Sequence, residues 1–139
     1  MDIFPDNDMK NIISTKFAGN VLISLLILLI VFHVLVLMKV IPYQIVWAAQ
    51  IDDSSTLLIY EGFAISLTAL FVLIISMKIG YFMPRKFNKV VNAGVWFVFI
   101  YFLLNTIGNL TSGVTAEKLI FTPLTILMTL LAFGVAIEK

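Results

Sequence analysis

The chain has 139 residues, 61% of them hydrophobic and 12% charged, with a mean hydropathy of +1.08 and a formal net charge of +1. A soluble domain carries about a quarter of its residues as charges and hides only part of its apolar surface, so this composition calls for lipid as solvent. Near-neutral charge gives no reason to expect a nucleic acid; absence of cysteine excludes disulfides and thiolate chemistry, and a single histidine argues against an all-protein zinc site.

Residues 1–16 are polar, with Asp2, Asp6, Asp8, Lys10 and Lys16, and read as a loosely ordered cytoplasmic tail. The remainder, 17–139, reads as one transmembrane domain. Its first apolar run, 17–38, is too long for a signal-peptide core, and no Ala-x-Ala-like site follows it. It is therefore expected to be a retained span. Next comes Ile41-Pro42-Tyr43-Gln44-Ile45-Val46-Trp47, an apolar loop whose Tyr43 and Trp47 suit the headgroup layer. That loop either anchors the chain at the interface or forms a lid. Further spans are expected at 56–77, 91–110 and 118–137, each near the roughly 20 residues that cross a bilayer.

Short connections predict antiparallel neighbours, and the period-two alternation of a membrane barrel is missing. The expected fold is an all-α, antiparallel four-transmembrane-helix bundle. Lys10, Lys16, Lys78, Arg85, Lys86, Lys89 and Lys139 fall on one side, against Lys39 and Lys118 with Asp52, Asp53 and Glu117 on the other. Basic residues stay inside, so both termini are expected in the cytoplasm.

Polar side chains inside spans are costly and turn toward the bundle interior or a cavity. Here they are His33, Glu61, Asn105, Asn109, Thr122, Thr125 and Thr129. His33 lies about five residues, or roughly 8 Å, before the outer end of its span. Glu61, Asn105, Asn109, Thr122 and Thr125 come out near the same level, so all four spans contribute to one polar layer in the outer leaflet. Asn105 and Asn109 share a face, with Tyr101 one turn deeper. Glu61 must snorkel, protonate or pair, with His33 and Lys39 as partners within range. Asn and Thr are equally at home as helix–helix glue, worth about 0.6 kcal/mol each. Thr122-Pro123 reads as an N-cap followed by Pro at N1, which makes 118–121 a separate interfacial turn.

The string His33…Lys39-x-x-Pro42-Tyr43-x-x-Val46-Trp47, then Glu61, Leu104-Asn105-Thr106-Ile107-Gly108-Asn109, Glu117-Lys118 and Thr122-Pro123-Leu124-Thr125 resembles a family of small four-helix bacterial membrane proteins. The likeness covers the chain from about residue 30, and Asn-Thr-Ile-Gly-Asn is its most specific part. Relatives often have Gly-Gly-Arg after the Trp, where this chain has Ala48-Ala49-Gln50. The resemblance implies the architecture and a bacterial inner membrane, and brings no activity with it.

Three functional readings follow. The first is a polar pocket of His33, Glu61, Asn105, Asn109, Thr122 and Thr125, roofed by Tyr43 and Trp47. It would bind, or help to move, a small polar or amphipathic ligand, with Glu61 as the titrating group. Its partners would be membrane lipid and a second copy or another membrane protein. The second is a structural or accessory subunit. The third is an intramembrane lipid-modifying enzyme with Glu61 and His33 as acid and base. No nucleophile elbow, phosphate loop or protease signature is present, so the balance leans away from catalysis. No cofactor, metal or nucleic acid is expected.

Overall fold

A computed structural model of the chain describes residues 6–42, 53–81 and 88–137, with side chains from residue 15 onward. It contains α1 (Asp6–Leu37), α2 (Ser54–Lys78), α3 (Asn88–Leu110), a π-helical turn (Glu117–Phe121) and α4 (Thr122–Ala136). Four helical stretches are long and apolar enough to cross a membrane: Thr15–Leu37, Ser54–Lys78, Asn88–Leu110 and Glu117–Ala136. Among the described residues there is no strand. The tail does not stay loosely ordered throughout, because α1 already begins at Asp6. Neither Gly nor Pro occurs between Asp6 and Phe17, so nothing in the backbone stops the helix from propagating outward from the span.

The helix ends are set by local chemistry. Asp53 is extended at the N-cap of α2, where its carboxylate accepts the Thr56 N–H at 2.7 Å. That bond holds the Asp53 carboxyl below its ordinary value of 3.8. Both α1 and α2 finish in the same double-bonded cap. After α1, Val40 N–H reaches Leu35 O at 3.0 Å and Lys39 N–H reaches Val36 O at 2.9 Å. After α2, Tyr81 N–H reaches Ser76 O at 2.9 Å and Gly80 N–H reaches Met77 O at 3.3 Å. This pattern needs a left-handed residue in the middle. Gly80 supplies it at φ +100°, whereas Lys39 adopts φ +62° despite its Cβ. Gly80→Ala is therefore expected to cost about 1 kcal/mol, while Lys39→Gly leaves stability unchanged or raises it. Unfolding curves in mixed micelles measure both.

In lipid there is no hydrophobic force between helices, so close packing and buried hydrogen bonds must hold the bundle. Each helix is apolar on every side: Leu28, Phe63, Leu104 and Leu130 point outward as freely as Leu22, Phe71, Val98 and Met128 point inward. What distinguishes the inner faces is fit. A Cβ on Gly19 would lie 2.5 Å from Ile79 Cγ2, so that glycine lets α1 and α2 approach. α1 packs on α2 and α4, α3 packs on α4 and α2, and the α2–α3 contact is the sparsest of the four.

The main core joins Leu22 and Leu26 of α1, Phe71 and Ile75 of α2, Val91, Val95 and Val98 of α3, and Ala132 and Val135 of α4. These residues fill the half of the bundle where α2 finishes and α3 starts. The other half, where α1 finishes and α2 starts, is the polar end. A small second cluster of Val36 and Leu57, packed by Phe32 and Phe121, closes part of it.

Candidate functional site

At the polar end, His33 and Glu61 share a hydrogen bond of 2.5 Å between Nδ1 and Oε2. Glu61 is completely buried and the His33 side chain is 13% exposed. The imidazole and the carboxyl group thereby meet each other's hydrogen-bonding needs inside the fold. That is how a carboxyl group becomes tolerable at this depth. Phe32 holds the arrangement from the side, edge-on to the His33 ring at 5.6 Å and to Phe121 at 5.3 Å.

Beside this pair lies a cavity of about 460 Å³. α1 contributes Leu29, Phe32 and His33 to its wall, and α2 contributes Ala64 and Thr68. α3 gives Tyr101, Asn105 and Asn109 together with Leu104 and Gly108. The π-helical turn and α4 give Glu117, Phe121, Thr125 and Met128. Its wall mixes the two kinds of side chain: Thr68 and Tyr101 lie among Phe102 and Met128, as His33, Asn105 and Asn109 lie among Phe32, Leu104 and Phe121.

Asn105 donates an amide N–H to Tyr101 O at 2.9 Å, and Asn109 donates one to the Thr125 hydroxyl at 3.4 Å. One turn deeper, the Thr106 and Thr129 hydroxyls meet at 3.4 Å between α3 and α4. Each threonine also donates back to a carbonyl of its own helix: Thr106 to Phe102 O, Thr125 to Phe121 O and Thr129 to Thr125 O. Such back-bonding satisfies the hydroxyl where no water is at hand.

No family model, curated protein or solved structure matches the chain. What the site can do has to be read from its own geometry.

Several residues singled out in the sequence meet here, but in different roles. His33, Asn105, Asn109 and Thr125 are on the cavity wall. Glu61 is not. It is fully buried against the Nδ1 edge of the His33 ring, which fixes how that ring lies on the wall. Thr122 is buried but off the wall, its hydroxyl bonded to Glu117 O at 3.1 Å. Nor does it cap α4. Its φ of −60° and ψ of −52° are helical, whereas an N-cap is extended. Tyr43 and Trp47 lie outside the described residues.

Sequence reasoning missed Glu117. Its charge looked like part of an external loop, yet it is only 6% exposed, lines the cavity and accepts a hydrogen bond from the Ser112 hydroxyl. The cause is Pro123. A proline inside a helix lacks an N–H and its ring presses on the carbonyl four residues back. The preceding turn widens to relieve this, so Thr122 N–H bonds to Glu117 O, five residues earlier. One extra residue per turn swings Glu117 toward the interior. Pi-helical turns of this kind recur at functional sites. The Glu117…Pro123 spacing was the available signal.

Among the described residues, no group of three His, Asp or Glu side chains converges to hold a metal ion. The site instead offers a mostly apolar wall with several hydrogen-bonding side chains set into it.

Proposed function

We propose that the chain is a multi-pass protein of a bacterial cytoplasmic membrane, an antiparallel four-helix bundle with both termini inside. In this reading it binds a small polar or amphipathic ligand in the cavity at its outer end. The cavity itself carries the proposal. Polar residues acting only as glue close on one another, whereas here four helices hold about 460 Å³ open beside them. Ligand sites typically enclose roughly 300–1,000 Å³ behind a mostly apolar lining with a few placed polar groups.

Antiparallel neighbours are supported by bonds that link the beginning of one helix to the end of another. Tyr81 O–H donates to Asn20 at 2.7 Å, and Lys39 donates to Ser54 at 2.9 Å. The surplus of lysine and arginine on the other side supports internal termini. Because the chain has no cysteine, cysteines placed at Asp53 and Lys86 can be labelled one at a time, and they should react from opposite faces. The other half of the bundle is filled by core side chains, which favours holding a ligand over conducting it. Any movement across the bilayer would then need a second copy or another membrane protein.

The test is thermal unfolding of delipidated protein with and without a bacterial polar lipid extract. The extract should raise the melting temperature, and Asn105→Leu should remove that rise while leaving the starting stability intact. A variant that lowers the starting stability but keeps the full rise would make Asn105 glue.

A further inference from the structure

The seams between the helices bear on how a guest reaches the cavity, and the partners of the wall residues bear on the charge it carries. Resting on the proposed binding role, we infer that the cavity takes an uncharged amphiphile, in the chemical class of a long-chain alcohol, directly from the surrounding lipid. The guest enters sideways, between α2 and α3.

Three of the four seams are bridged at the level of the cavity. His33 and Glu61 tie α1 to α2 at 2.5 Å. Phe32 of α1 packs on Phe121, which leads into α4, with ring centroids 5.3 Å apart. Asn109 and Thr125 join α3 to α4 at 3.4 Å. The fourth seam, between α2 and α3, has the sparsest contact. Gly94, Tyr101, Leu104 and Gly108 follow one another at helical spacing along the flank of α3 that faces it. At one end of this flank the helices are pressed together: a Cβ on Gly94 would lie 3.1 Å from Ile74 of α2, and the Tyr101 ring is 5.0 Å from that of Phe71. At the other end a Cβ on Gly108 would find no neighbour within 4 Å. Leu104, one turn before it, lines the cavity and is at the same time 62% exposed, and exposed Gly108 lines it too. The helices that touch at Gly94 have parted by Gly108, and since both belong to a span, the opening gives onto lipid.

The charge follows from what the wall lacks and from what it has already committed. Among the described residues neither lysine nor arginine lies on it, so an anionic head finds no counter-charge. Of the acids only Glu117 is there, and its carboxyl group already accepts the Ser112 hydroxyl and has other interactions. A cationic head would have to break into that arrangement. An ion taken out of water needs a partner to offset its lost hydration, whereas a hydroxyl needs only hydrogen bonds. A hydroxyl also both donates and accepts, so it fits beside threonine and asparagine whichever way their atoms are turned.

The test uses full-length protein in phosphatidylcholine nanodiscs, titrated with dodecanol, dodecylammonium and dodecanoate against empty discs. Dodecanol should bind at least tenfold more tightly than either ion. The route is read separately with Thr125→Cys, a single thiol on the cavity wall of a chain that has no cysteine of its own. It should react with N-dodecylmaleimide at least tenfold faster than with a charged, water-soluble maleimide. Adding Gly108→Phe should slow the dodecyl reagent at least tenfold, with Leu104→Trp as a second plug should the first fail to fold. Ile107→Phe, exposed on another side of α3, should leave the rate unchanged. Equal or tighter binding of either ion overturns the neutral head. An unchanged rate in the plugged variants, or equal reaction with the charged maleimide, overturns the side entrance. If no probe binds while the lipid extract still raises the melting temperature, the choice of guest falls and the binding role stands. If the extract has no effect either, the role itself falls.

Discussion

His33→Leu should destabilise the protein by about 3 kcal/mol, and adding Glu61→Met to it should restore most of the loss. A buried polar pair is costly to halve: truncating one member commonly costs about 3–5 kcal/mol, because the other keeps its desolvation penalty. Glu61 is completely buried and its bond to His33 is 2.5 Å long. It retains other interactions, which places the cost at the low end of that range. Replacing both members by apolar residues of similar bulk removes the stranded group, and such exchanges are often neutral. Reversible unfolding in mixed micelles, followed by circular dichroism, gives the four corners of the cycle. Additive losses would mean that the two residues act independently. The ordinary polar contacts of the bundle set the scale, since interhelical bonds in membranes average about 0.6 kcal/mol.

The second large effect is expected from Pro123→Ala. Alanine restores the N–H that proline lacks and removes the ring that forces the widened turn. The segment before residue 122 can then return to ordinary helical register. Losing one residue from the turn rotates Glu117 by about 100° relative to α4. The carboxyl group leaves the wall. The rise in melting temperature that lipid extract is expected to give should shrink while helix content is unchanged. A Glu117→Cys reporter in this cysteine-free chain gives an independent reading. It should resist a thiol reagent with Pro123 in place, where the position is 6% exposed, and react once Pro123 is replaced. Protection that persists after the exchange would show that the turn does not depend on the proline.

The four apolar helices were legible because lipid leaves a chain so few alternatives. Their inward faces were not. With Leu104 exposed and Phe102 buried two residues away, hydrophobicity does not say which side looks in. Only small and polar residues carried that signal, and they pointed to His33, Asn105, Asn109 and Thr125, which the fold brings to one cavity. Pairing of His33 with Glu61 was one of two arrangements that depth allowed. That Glu61 would lie off the cavity wall could not be read, because depth fixes a level and not an order. Glu117 escaped for a different reason. Its charge set it just outside the apolar run that marks the fourth span, and the π-helical turn that begins at Glu117 extends the helix over it. Thr122 misled in the same place, as a residue type that caps helices and also back-bonds within them.

The well-packed half of the bundle has a further implication. Leu22, Leu26, Ile75, Val95, Val98, Ala132 and Val135 are buried to the point of having essentially no accessible surface. They fill the half of the bundle away from the cavity. Under the proposed binding role, a guest would therefore leave by the way it came and keep its allegiance to one leaflet. On that reading the protein alone would sequester or hand over a guest within a single monolayer, and any vectorial step would belong to whatever receives it.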